Sequence, residues 1–86
     1  MESIKYCDIC GKNYATDEHH LIGGTSERKI CDQYYFMKLD LCRNCHDTIH
    51  KNNVANKLSK MLGQSQYEVR FSRKEYMREF KKNYLP

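Results

Sequence analysis

Apolar and polar positions change period twice along this chain. From Tyr34 to Cys42, Met37, Leu39 and Leu41 alternate with Phe36, Lys38 and Asp40, the two-residue period of a strand with one buried face. The earlier run from Tyr14 to Ile22, "YATDEHHLI", reads as a second, more weakly patterned strand. Between them "GGTSERK" reads as a loop, because Gly23-Gly24 supplies the backbone freedom of a turn. Beyond the second strand the period lengthens: His46, Ile49, His50, Val54, Leu58, Met61 and Leu62 recur at helical spacing. An interruption is expected at Asn52-Asn53, and Gly63 is the expected stop. The last element opens on Ser72-x-x-Glu75, a capping-box pattern. Tyr76, Met77, Phe80 and Tyr84 then line one side and Lys74, Arg78, Lys81 and Lys82 the other, which predicts a basic amphipathic helix over 72–85.

Composition makes this a small α+β domain in need of a staple. The chain of 86 residues is 40% apolar and has no Trp. One domain of this size buries little apolar surface and commonly relies on a metal or on disulfides. There is no internal repeat and no low-complexity linker, so 1–86 reads as one unit with a core over 5–63. The start, Met1 to Tyr6, has no apolar leader, and no later run is long enough to cross a bilayer. The expectation is a cytoplasmic protein with reduced thiols and no membrane partner. Net charge is +4 and is uneven. From residue 70 onward six basic residues face two acidic ones, Glu75 and Glu79, so the tail alone accounts for the excess. A basic tail on a small domain suggests a polyanionic partner, nucleic acid ahead of membrane, and a merely solvated helix face is the equal alternative on charge alone.

The five cysteines change the picture most. Four fall in two C-x-x-C pairs, Cys7/Cys10 and Cys42/Cys45, with Cys31 left over. A C-x-x-C turn offers two thiolates from one knuckle, and zinc takes four such ligands in a tetrahedron. Gly11, directly after Cys10, suits that turn. The four thiols together predict a structural Zn²⁺. A mixed site of Cys42, Cys45 and His50 with another ligand would strand Cys7 and Cys10. Cys31 reads as a small apolar filler.

If thiols close the zinc, the histidines need another role. His46 and His50 stand at i and i+4 on one side of a helix, where two imidazoles converge on one ion. His19 and His20 are strand neighbours and point to opposite faces, so only one joins such a site readily. One of the pair is then suited to ligate a divalent ion and the other to act as general base on a water.

With "HH" at 19–20, a glycine loop, an apolar strand running into "LCRNCH" and a histidine four places on, the chain resembles the HNH endonucleases. It is most similar to their small phage-type members with a four-cysteine zinc. The resemblance spans Cys7 to His50, about half the chain, with a looser likeness in the tail. It implies a ββα-metal finger with a treble-clef zinc and an additional C-terminal helix. It also implies His19, His46 and His50 as ligands of a catalytic divalent ion (Mg²⁺, Mn²⁺, Ni²⁺ or Zn²⁺) and His20 as the base. The activity implied is metal-dependent hydrolysis of DNA phosphodiesters. The sequence departs from the pattern at Met37, where such families often carry an Asn that ties down the loop.

Arg28 and Lys29 in the glycine loop, with Thr25 and Ser26, are candidate phosphate contacts. Lys74, Arg78, Lys81 and Lys82 on the basic tail are a second set. The alternative is a non-catalytic zinc-finger module that binds nucleic acid or a protein through that tail. A further possibility is a nuclease fold that cuts only with a phage or recombination partner.

Overall fold

In the computed structural model, which describes residues 4–86, two strands and four helices form a small α+β fold. Of the start considered above, Met1 to Tyr6, the first three residues lie outside the described residues. Strands β1 (Asp17–His20) and β2 (Lys38–Leu41) pair antiparallel, with His19 opposite Leu39 and Asp17 opposite Leu41. The N-terminal knuckle docks on this pair. Asp8 N–H donates to Asp40 O at 2.8 Å, and Asp40 N–H donates to the Asp8 carboxylate at 2.7 Å. Gly11 sits at φ 65° inside the knuckle turn, a left-handed conformation that glycine adopts without strain.

The segment read as a glycine loop contains helix α1 (Thr25–Cys31), which buries Cys31 and packs Ile30 against the core. A 3₁₀ turn at Tyr35–Met37 then feeds β2, so the first half of the expected second strand is not extended. Met37 is fully buried, and its carbonyl accepts the Leu21 N–H at 2.9 Å. An apolar side chain and a backbone bond therefore hold this loop.

Helix α2 (Arg43–Lys51) starts directly after Cys42, and the expected break follows at Asn52. The Asn52 side chain accepts from Ala55 N–H and caps α3 (Asn53–Arg70). Helix α3 runs through Gly63 rather than stopping there. Gly63 is instead a point of close approach: a Cβ at this position would lie 2.9 Å from both Leu21 Cβ and Ile22 Cγ1. The expected apolar stripe of α3 faces solvent, with Val54, Leu58 and Leu62 exposed by 69%, 57% and 41%. The buried face is Ser59, Gly63, Gln64 and Tyr67.

The tail helix α4 (Arg73–Phe80) has the capping box read from Ser72 and Glu75. It ends at Phe80 rather than residue 85, because Lys81 turns left-handed at φ 62°. Tyr76 and Phe80 are buried as expected and close the larger core with Ile22, Met37 and Tyr67. A smaller core of Leu41, Ile49 and the cysteines lies under the knuckle. No helix among the described residues is long and apolar enough to cross a membrane.

Gly63→Ala separates the two readings of this glycine. In an open helix it would stabilise by about 1 kcal/mol. Here the Cβ must push Leu21 and Ile22, so a loss of roughly 1–3 kcal/mol is expected, visible as a lower Tm.

Candidate metal centres

The knuckle turn and the start of α2 bring Cys7, Cys10, Cys42 and Cys45 together, their Sγ atoms all within 4.8 Å of one another. Cys10 Sγ and Cys42 Sγ are 3.9 Å apart. A tetrahedron with Zn–S bonds of about 2.3 Å has edges of about 3.8 Å, so this spacing fits a metal such as zinc. Burial opposes charge on Cys7, but backbone N–H groups of Cys10, Cys42 and Ile9 outweigh it and bring the thiol down to about 6. The Asn13 and Lys12 backbone N–H groups lower Cys10 likewise. Cys45 is pushed up to about 12, first by its hydrogen bond with Cys42. Four adjacent thiols cannot all ionise without a cation among them, and a zinc ion would supply one. Cys31 stays apart, buried, its Sγ 3.6 Å from Ile22 O and its thiol raised by burial.

The histidines form a second, separate set. β1 contributes His19 and α2 contributes His46 and His50, and their ligand nitrogens all lie within 4.8 Å of one another. Ligand atoms thus segregate into thiols and imidazoles, which disfavours the mixed Cys42/Cys45/His50 site.

The tautomer of each ring follows from its partners. His19 is 4% exposed, and its Nε2 lies 2.8 Å from Ser59 Oγ. The single proton of that hydroxyl is donated to Leu21 O at 2.8 Å, so Ser59 accepts from His19 Nε2–H. The Nδ1 lone pair of His19 is left for a ligand. Burial, then the charges of His46, His50 and His20, hold its pKa down to about 4, so the ring is neutral at pH 7, the form that binds metal. His46 Nδ1–H donates to Asp17 Oδ2 at 2.8 Å, and that bond holds Asp17 below the usual carboxylate range. The carboxylate fixes the ring as such partners do behind metal ligands. His46 Nε2 then faces His50 Nε2 at 3.0 Å, a separation that requires a proton or a cation between the two.

His20 points away from this trio yet borders the same cleft of about 180 Å³, with Glu18, His19, Gly23, Arg28, His46 and His50. Its Nε2–H donates to Asp32 Oδ1 at 2.7 Å, which leaves Nδ1 as the basic atom. Asp32 is held low by that bond. Lys38 lies 3.4 Å from Glu18 and 3.9 Å from Asp32, so the Glu18/His20/Asp32 cluster already has its counter-cation.

No family model, curated protein or solved structure matches this chain. What the two centres can do follows from their side chains. Four thiolates would close a structural site, whereas three imidazole ligands would leave positions open for water or substrate. Of the candidate phosphate contacts, Arg28 borders the cleft. Lys29, Lys74, Arg78 and Lys81 are exposed and do not border it, and Lys82 borders a different groove.

Three residues of the site escaped the sequence reading. Asp17 shares the strand face of His19 two positions on, a signal that alternation carries. Asp32 follows a helix that was read as a loop, and Ser59 lies on a helix face that hydropathy assigned to solvent. Ser59→Ala removes the group that selects the His19 tautomer. Its expected effect is a loss of roughly 10–100-fold in affinity for the histidine-bound ion, with the thiol-bound ion unchanged, measured by metal titration.

Proposed function

We propose that the protein is a metal-dependent DNA endonuclease of the HNH type, built on a treble-clef zinc held by Cys7, Cys10, Cys42 and Cys45. The observation that carries this reading is the shared cleft. Three imidazoles whose ligand nitrogens lie within 4.8 Å of one another border it together with a fourth, carboxylate-held histidine and an arginine. Held by His19, His46 and His50, a divalent ion would supply Lewis-acid stabilisation of the scissile phosphate and of the departing 3′ oxygen.

The chain's own residues supply the rest. His20 Nδ1 takes a proton from the attacking water. Asp32 is a positioning residue: it fixes the His20 ring and stabilises the imidazolium that forms. Arg28 offers the phosphate a charged, two-pronged donor. The basic tail adds sequence-independent affinity.

The test is plasmid cleavage. Supercoiled DNA incubated with the zinc-loaded protein is expected to be cut when Mg²⁺, Mn²⁺ or Ni²⁺ is added and spared by EDTA. A chain that binds the plasmid and leaves it intact with every ion would instead be a non-catalytic zinc module. Cutting only after a recombination or packaging protein is added would mark a partner-dependent nuclease.

A further inference from the structure

Helix α3 has two different flanks on either side of Ser59, the residue it turns toward His19. At about 100° per residue, Ala55, Leu58 and Leu62 fall to one side and Asn53, Asn56, Lys57 and Lys60 to the other. The second flank does not face open solvent. The segment after α4 returns along it and forms a groove of about 620 Å³, whose opposite wall carries Lys82, Asn83 and Tyr84.

The groove collects positive charge from three lysines, with the chain-end Pro86 also in its lining. Lys57, Lys60 and Lys82 line it, and no acidic side chain does. Among the described residues, none of the three has a carboxylate within 4.0 Å. Two of them approach one ring: Lys60 Nζ is 5.5 Å and Lys82 Nζ 5.6 Å from the Tyr84 centroid. The side-chain amides of Asn53, Asn56 and Asn83 add neutral donors.

The far wall is held in place by buried polar groups. Gln64 is fully buried, donates to Asn83 Oδ1 at 2.6 Å and accepts Tyr84 N–H at 2.7 Å. Tyr76 O–H donates to Lys82 O at 2.8 Å. A buried glutamine spent on fixing a lysine-bearing tail preorganises the groove, so little ordering remains for a ligand to drive. The groove also begins at Asn53, three residues beyond the proposed metal ligand His50.

We propose that this groove holds the phosphodiester backbone of the nucleic acid flanking the bond cut at the histidine cleft. Phosphate oxygens would take the three ammonium groups and the amides, which positions the strand without reading its sequence. The inference rests on the nuclease reading, and the two fail separately.

Its test is binding, not cutting. Full-length zinc-loaded His20→Ala protein is titrated against a short labelled DNA duplex over a range of salt concentrations. Lys57→Gln with Lys60→Gln is expected to weaken binding roughly tenfold at low salt and to flatten the log–log salt slope by about 2. Lys5→Gln with Lys12→Gln removes equal charge outside the groove and is expected to leave both nearly unchanged. Circular dichroism matched to the parent establishes that the variants fold. Equal losses in the two pairs, or none in the groove pair, would overturn the proposal, as would binding to anionic vesicles in place of DNA. Failure to cut plasmid, with or without a recombination or packaging protein, alongside normal groove-dependent binding would remove the nuclease and keep the groove.

Discussion

Cys42→Ser is expected to leave the chain unfolded at room temperature, even with zinc in excess. Cys42 is buried, contributes a thiol to the four-cysteine centre and occupies the position from which α2 starts. Binding of a structural zinc contributes roughly 10–16 kcal/mol of folding free energy in small metal domains. Whole domains are stable by only about 5–15 kcal/mol. Losing most of the first quantity exhausts the second. The core under the knuckle consists largely of the cysteines with Leu41 and Ile49, and too little apolar surface remains there to hold the knuckle on β2. Far-UV circular dichroism and zinc content report the result together: helix signal and metal are expected to fall in step. A folded, zinc-loaded Cys42→Ser protein would show that this thiol is not a ligand.

His20→Ala is expected to behave in the opposite way, keeping the fold and losing the reaction. The ring is tied to Asp32, an exposed residue, and belongs to neither set of metal ligands. Its removal leaves the thiol centre and the His19/His46/His50 trio intact. A general base contributes roughly 10²–10⁴-fold to rate, and a loss of that size in plasmid cleavage at saturating metal is the expected outcome. The parent cleavage rate in His20→Ala would remove His20 as the base.

The candidate ligand residues were legible in the sequence because metal chemistry imposes short spacings. C-x-x-C repeats and a pair of histidines at i and i+4 place donor atoms together whatever surrounds them, and the structure gathers all seven donors into the expected two groups. The supports of those ligands were not legible, for two physical reasons. Helix α1 has no side-chain cap, and its Gly-Gly-Thr-Ser opening looks like a turn; burial of Cys31 and packing of Ile30 hold it instead. In α3, hydropathy chose the wrong face. The side chains that must approach β1 most closely are small or hydrogen-bonding, so Gly63 lies against Leu21 and Ile22, and Ser59 bridges His19 and Leu21. The aliphatic Val54, Leu58 and Leu62 are left outside, and Ile9 of the knuckle joins Leu58 and Leu62 along a shallow apolar groove. The tail helix shows the reverse: its capping box and its Tyr76 and Phe80 positions were plain, but its end was not, since Lys81 turns left-handed without a glycine.

Metal stoichiometry, measured on the parent and on two variants, tests the central claim of separate structural and catalytic centres. Protein loaded with zinc and then titrated with a second divalent ion is expected to hold two ions per chain. His50→Ala is expected to keep the fold and the first ion and lose the second, whereas Cys42→Ser loses the first together with the fold. A single ion per chain, lost in both variants, would contradict the account: thiols and imidazoles would then serve one site, and the cleft beside His20 would hold no ion of its own.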